Sequence, residues 1–176
     1  MTKQELRKKI KQINLSSEYI KYSDEIIFNK LTDLEAFKNS QILFIYVSKN
    51  DEVDTIKIIK YAFELGKTVC VPKCFDNSEV KAYEIKSFND LELGSFNILE
   101  PKSYCKEIDK SNIDLAVIPC VTCDVNNNRL GYGKGFYDRF LVETTMKKIC
   151  LCRKKVLQEK IPVDKNDVKM DMVVTE

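Results

Sequence analysis

The sequence predicts an α/β protein, a three-layer α/β/α arrangement around a mostly parallel sheet. Two continuous apolar runs, Gln41–Ser48 and Ile113–Val121, have the composition of strands buried on both faces rather than a polar/apolar alternation. A segment of helical period separates the first run from a second strand at Thr68–Val71, which makes a β–α–β unit whose crossover implies parallel pairing. Apolar residues also recur at helical spacing from Thr2 to about Phe37.

In chain order, Leu6, Ile10 and Ile13 form one apolar stripe, and Ile20, Ile27, Leu31 and Leu34 form another. Leu15-Ser16-Ser17 separates them and offers a helix N-cap. After the first strand, Asn50 or Asp51 is placed to cap a helix whose Ile56, Ile59 and Phe63 share a face, with Gly66 at the C-terminal stop. Pro72 is expected to end the next strand. Val80–Ile85 is a weaker strand, and residues 87–111 read as mostly loop. A polar turn at Asp124–Arg129, a helix from about Phe136 to Thr145 and closing strands at Ile149–Cys152 and Met172–Val174 complete the order. No repeat, low-complexity block or linker divides residues 1–176, so one domain is expected.

Composition excludes several chemistries. The 176 residues contain no histidine, so Ser–His–Asp and Cys–His machinery, HExxH chemistry and His-ligated zinc are absent. A formal charge of +2 argues against a broad nucleic-acid footprint. The longest strongly apolar run, Ile42–Val47, is too short to span a bilayer. With seven cysteines, an odd number, and no apolar signal segment ahead of them, we expect a reduced, cytoplasmic protein that contacts neither membrane nor nucleic acid.

Chemistry concentrates in Arg129-Leu130-Gly131-Tyr132-Gly133-Lys134-Gly135-Phe136-Tyr137-Asp138. Three of the chain's five glycines fall here, after a buried strand and before a helix. Glycines let backbone approach an anion, Lys134 adds charge, and Asp138 offers a carboxylate to a divalent ion. Neither standard motif fits: Lys134 is followed by Gly135 where Walker A needs Ser or Thr, and Phe136 stands at the third Rossmann glycine. Spacing alone therefore leaves phosphate binding and a tight structural turn both open.

This segment closely resembles the signature of the 5-formyltetrahydrofolate cyclo-ligase (methenyltetrahydrofolate synthetase) family. Lys3-Gln4-Glu5-Leu6-Arg7, the stretch from Val47 through Glu52 to Thr55, Phe96–Pro101 and Asn166–Asp171 are similar to family segments in order and distance. The resemblance implies a fold like that of NagB/RpiA/CoA-transferase-like proteins. It also implies ATP-dependent conversion of 5-formyltetrahydrofolate to 5,10-methenyltetrahydrofolate, with Mg2+, through a phosphorylated formyl group, and with release of ADP and phosphate. Such a step needs alignment and charge rather than a strong base, which suits a chain without histidine. The implied ATP contacts are Lys3, Gln4, Glu5, Leu6, Arg7, Arg129, Leu130, Gly131, Tyr132, Gly133, Lys134, Gly135, Phe136 and Tyr137. Arg7 and Lys134 are implied to be catalytic. Val47, Glu52, Tyr132, Gly133, Lys134, Gly135 and Phe136 would meet the folate, and Asp138 and Asp167 would hold Mg2+. A monomer is expected.

Each residue also has an ordinary reading. Lys3 and Arg7 suit snorkelling surface cations, and Glu52 and Asp138 suit helix N-termini. Cys120-Val121-Thr122-Cys123 reads as free thiols at a strand end, because Cys70 and Cys74 are too loosely spaced to complete a zinc site. Asp124–Asn128 opens like an EF-hand, but Arg129 and Gly135 replace the required Gly and Glu, which rejects calcium. The rival functions are a sugar-phosphate isomerase-like enzyme, for which no dedicated acid/base pair is visible, and a nucleotide- or RNA-binding module, which would need a stronger basic face.

Overall fold

Thr2 starts the chain's first helix because its hydroxyl accepts from the Glu5 N–H while the Glu5 carboxylate accepts from the Thr2 N–H, a reciprocal cap. A computed structural model of the protein describes residues 1–94 and 97–176, so Phe96 of the mid-chain segment lies outside the described residues. Helix α1 (Lys3–Lys11) buries Leu6 and Ile10. Ser16 then caps α2 (Ser17–Asp33), whose Ile27 and Leu31 are fully buried, and α3 (Glu35–Asn39) buries Phe37. The break at Leu15–Ser17 and both apolar stripes therefore fall where sequence spacing puts them.

The apolar run that follows forms β1 (Ile42–Ile45), with Tyr46 and Val47 still buried beyond the strand. Helix α4 (Ile56–Glu64) begins later than the expected cap: Thr55 is its N-cap, and Asp54 Oδ1 accepts the Ile56 N–H at 2.8 Å. Asn50 and Asp51 are left in the loop because Thr55 is tied back to β1, donating its hydroxyl to Tyr46 O at 2.6 Å. Gly66 ends the helix at φ +71°, with Lys67 N donating to Ala62 O and Gly66 N to Phe63 O, the paired bonds of a Schellman stop.

Strand β2 (Thr68–Cys74) runs through Pro72 instead of stopping there. Its pairing with β1 ends at Cys70, so Pro72 sits where that flank has no ladder to lose, while β3 (Val80–Ile85) pairs antiparallel along the other flank through Cys74. Residues 87–111 are more structured than expected. β4 (Leu91–Leu93) and β5 (Leu99–Pro101) form a small antiparallel arm, and β6 (Glu107–Ile108) pairs with β3. Strands of two or three residues carry no readable period, and their partners decide them. β7 (Leu115–Ile118) is followed by the hairpin β8 (Thr122–Cys123) and β9 (Arg129–Leu130), then α5 (Phe136–Leu141), β10 (Lys147–Leu151) and β11 (Met172–Val174). Helix α5 stops short of Thr145 because Val142 is extended and Glu143 takes φ +56°.

The main sheet has the order β11-β10-β7-β1-β2-β3-β6, parallel from β11 to β2 and antiparallel at the β3 and β6 edge. Leu43, Ile45, Val69, Leu115, Val117 and Ile149 face α2, α3 and α4. Phe44, Cys70, Ala116, Ile118 and Cys150 face Phe140 and Leu141 of α5 together with Met146 and Met170. Each large buried side chain stabilises the fold by about 1.5–3 kcal/mol, so this two-sided packing accounts for the lack of polar alternation in the central strands. Leu130 packs with Leu6, Ile10 and Ile161, which docks α1 against the β8–β9 hairpin and sets the site described next. Among the described residues, no helix is long and apolar enough to cross a membrane.

Candidate active site

The connection into β2 leaves β1 on one side and β7 lies on the other, so the order reverses between β1 and β7, where open α/β sheets form a crevice at their carboxyl edge. A cavity of about 490 Å³ occupies this place. Tyr46 and Val47 beyond β1, Pro72 and Cys74 at the end of β2, and Pro119 beyond β7 line it, and the glycine segment and the first turn of α1 close it.

The β8–β9 hairpin delivers the glycine segment. Its turn is organised by the buried Asp124, whose carboxylate accepts from the N–H groups of Asn126, Asn128 and Ile161 and from the Asn128 amide. Burial pushes that carboxyl up, but the donors from Asn128, Ile161 and Asn126 outweigh burial and hold it below the usual range. The residues that open like an EF-hand therefore build an aspartate-centred turn.

Arg129 points inward. Its guanidinium donates to Pro119 O at 3.1 Å and to Asp138 Oδ2 at 3.0 Å, with its side chain 3% exposed. A Cβ on Gly131 would lie 2.5 Å from Arg129 Nη1, which only glycine permits without displacement. At Gly133, φ is +102° and a Cβ would come within 3.2 Å of Arg7 Cζ, so the chain bends here to admit the arginine. Arg7 Nε donates to Gly131 O at 2.8 Å. Among the described residues, none accepts a bond from the N–H of Gly133 or Gly135. One helical turn before Arg7, Lys3 Nζ pairs with Asp164 at 2.7 Å and with Asp167. Burial lowers the pKa of the Lys3 ammonium, but its hydrogen bonds to the Asp164 and Asp167 carboxylates raise it overall, so it stays charged.

In the same cavity wall, Tyr132 donates its hydroxyl to Glu52 Oε1 at 2.6 Å, and Lys49 N donates to Glu52 Oε2 at 2.8 Å. Burial pushes the Glu52 carboxyl up against these two donors. Burial and the adjacent Glu52 carboxylate push the Tyr132 phenol far up, so it remains a donor. Arg153, which sequence spacing did not single out, holds this loop. It pairs with Asp24 at 2.7 Å and donates to the carbonyls of Asp51 and Glu52 at 3.2 and 2.8 Å. Asp164 and Tyr46 were likewise missed, since nothing in their local sequence marks them.

The structure thus gathers Lys3, Arg7, Val47, Glu52, Arg129 to Asp138, and Asp167 around one cavity. Gln4, Glu5 and Leu6 do not line it: Gln4 is exposed, Glu5 is engaged in the α1 cap and Leu6 is 2% exposed in the packing beneath β9. The carboxylates suit Mg2+, a hard cation that takes one or two carboxylates and leaves the rest to phosphate and water. Asp167 Oδ1 has no protein partner among the described residues, whereas Asp138 accepts Arg129 on one oxygen and Val168 N on the other at 3.1 Å. One lone-pair direction remains on each Asp138 oxygen, so the pair fits the ion, with Asp167 the more available ligand.

A model of the 5-formyltetrahydrofolate cyclo-ligase family matches residues 1–176. A probable 5-formyltetrahydrofolate cyclo-ligase of Caenorhabditis elegans is 30% identical over 190 residues, covering 99% of this chain and 92% of its own. The 5-formyltetrahydrofolate cyclo-ligase of Mus musculus is 30% identical over 189 residues, covering 99% and 93%. The solution structure of Aquifex aeolicus 5,10-methenyltetrahydrofolate synthetase aligns with a TM-score of 0.87 at 32% identity, over 99% of this chain and 89% of that one.

Proposed function

Since the chain belongs to the 5-formyltetrahydrofolate cyclo-ligase family, we propose that its cavity converts 5-formyltetrahydrofolate to 5,10-methenyltetrahydrofolate at the expense of ATP, through a phosphorylated formyl group. The observation that carries this reading is that Lys3, Arg7, the glycine turn with Lys134, Glu52 and Tyr132 all line one cavity.

Arg7, Lys134 and the glycine turn take the triphosphate. Gly133 and Gly135 present backbone N–H groups there, and Arg7, held by Gly131 O, faces the turn where charge develops on the transferring phosphoryl group. Glu52 takes the donor edge of the pterin and Val47 its apolar face; Phe136, also in the wall, offers a ring for stacking. This orients the formyl oxygen toward the γ-phosphorus. That oxygen bonds to phosphorus as the bond to ADP breaks, giving an iminium phosphate. The neighbouring folate nitrogen then attacks the formyl carbon, the carbon–oxygen bond to phosphate breaks, and the nitrogen's proton leaves with phosphate. No side chain is asked to act as a strong base at the first step, because an amide oxygen has no proton to lose. Bound Mg2+ would neutralise phosphate charge, with Asp138 and Asp167 as its protein ligands. The reading further takes the protein to work in the cytoplasm as a monomer, without nucleic acid or membrane.

Purified protein with ATP, Mg2+ and 5-formyltetrahydrofolate should show rising methenyl absorbance that depends on ATP. A flat trace, or one indifferent to ATP, refutes the proposal. Glu52→Gln should raise the KM for folate roughly ten- to hundredfold, as expected for losing a charged acceptor, and leave the KM for ATP nearly unchanged. Because burial raises the Glu52 pKa, it takes up a proton at higher pH than an exposed glutamate. The folate KM of the parent enzyme should therefore climb as pH falls through that raised pKa, and Glu52→Gln should abolish the climb. An acid limb that survives the substitution assigns it to another group.

A further inference from the structure

We propose that Cys120, Cys123 and Cys150 form a zinc site behind the floor of the cavity. The parallel neighbours β7 and β10 pair Ile118 with Cys150, so the chain leaving β7 carries Cys120 and Cys123 over the end of β10. The Sγ atoms of Cys120, Cys123 and Cys150 all lie within 4.8 Å of one another, whereas Cys152, just past β10, donates its thiol to the Arg153 carbonyl at 3.7 Å. Sequence spacing offers Cys70 and Cys74 as partners for the CxxC pair; the sheet supplies Cys150 instead.

A tetrahedral zinc ion bonded to thiolates at about 2.3 Å sets its sulfurs about 3.8 Å apart, within reach of this cluster. An all-sulfur protein donor set selects zinc over Mg2+ or Ca2+. Cys123, Cys150 and Cys152 are almost completely buried, whereas the half-buried Cys120 borders a groove with Arg7, Val121 and Tyr132, which gives an ion a way in. Three protein ligands leave the fourth tetrahedral position to water or another small ligand.

The surrounding charge points the same way. Three thiolates around Zn2+ carry a net charge of −1. The buried guanidinium of Arg129 acts electrostatically on Cys150 and Cys120, and its Nε has no acceptor among the described residues. A negative centre beside it would add to the balance that Asp138 supplies to this positive charge. The ion would also pin Pro119, the carbonyl partner of Arg129, between β7 and the hairpin.

The full-length protein, purified under reduction, should carry about one zinc per chain by mass spectrometry of its metals. After zinc removal, Co2+ should saturate at one equivalent with the d–d bands of a tetrahedral site and sulfur-to-cobalt charge transfer. Cys123→Ser should lose this spectrum; if that buried variant does not fold, the half-buried Cys120→Ser should still shift or weaken it. Cys105→Ser, outside the cluster, should keep full stoichiometry. An octahedral cobalt spectrum, or saturation unchanged by Cys120→Ser, overturns the proposal, and neither readout depends on folate turnover.

Discussion

Arg7→Ala should lower kcat/KM by about 10² or more while the protein stays folded, because the guanidinium does two jobs at one place. Its Nε–H holds the carbonyl of Gly131 at 2.8 Å, and its head lies against Gly133, where a side chain would clash. On the proposed function, losing it removes a charge beside the transferring phosphoryl group and loosens the turn that presents the N–H groups. The size follows that of deleting one preorganised donor at a developing negative charge. Leu6 and Ile10, not Arg7, pack the helix against Leu130 and Ile161, so thermal stability should barely move. Arg7→Lys keeps the charge but not the planar fork, and should recover only part of the rate. The methenyl absorbance assay at varied ATP separates the cases. A variant within twofold of the parent would remove Arg7 from the phosphoryl site.

Asp138→Ala should destabilise the fold by about 3 kcal/mol, the cost of leaving a buried charge unpaired. The Arg129 side chain is 3% exposed against 19% for Asp138, and the two meet at 3.0 Å. Without the carboxylate, Arg129 keeps Pro119 O as its one hydrogen-bond acceptor among the described residues, and Val168 N loses its acceptor. For a chain of this length the loss corresponds to a drop in Tm of roughly 6–12 °C. Asp138→Asn retains an acceptor oxygen and should cost less. A purely metal-binding Asp138 would predict the opposite pattern, with unchanged Tm without Mg2+ and a raised magnesium requirement. Differential scanning calorimetry of the metal-free variants decides between them. For Asp167→Ala, whose Oδ1 is open, the magnesium requirement should rise more than stability falls.

Much of the architecture is legible locally. Continuous apolar runs mark β1 and β7 because both of their faces are covered, and the caps at Ser16 and Gly66 mark helix ends because the groups that make them are neighbours in sequence. The arm of β4 and β5, the continuation of β2 through Pro72 and the late start of α4 were not legible. Each is decided by a partner strand or by the bond from Thr55 to Tyr46, across gaps in sequence that periodicity does not see.

The same division runs through the site. By itself the sequence determined the order of strands and helices, a glycine turn flanked by cations, and the carboxylates available to serve it. Tertiary structure alone decided how those groups are used. Asp138 is committed to a buried arginine, Lys3 to acids 161 and 164 residues away, Glu52 to a tyrosine 80 residues on, and Cys120 to thiols from another strand. The reason is physical: a residue's own element sets where its side chain starts, but a buried charge or thiol is stabilised only by what lies opposite, and strand register and helix docking put it there.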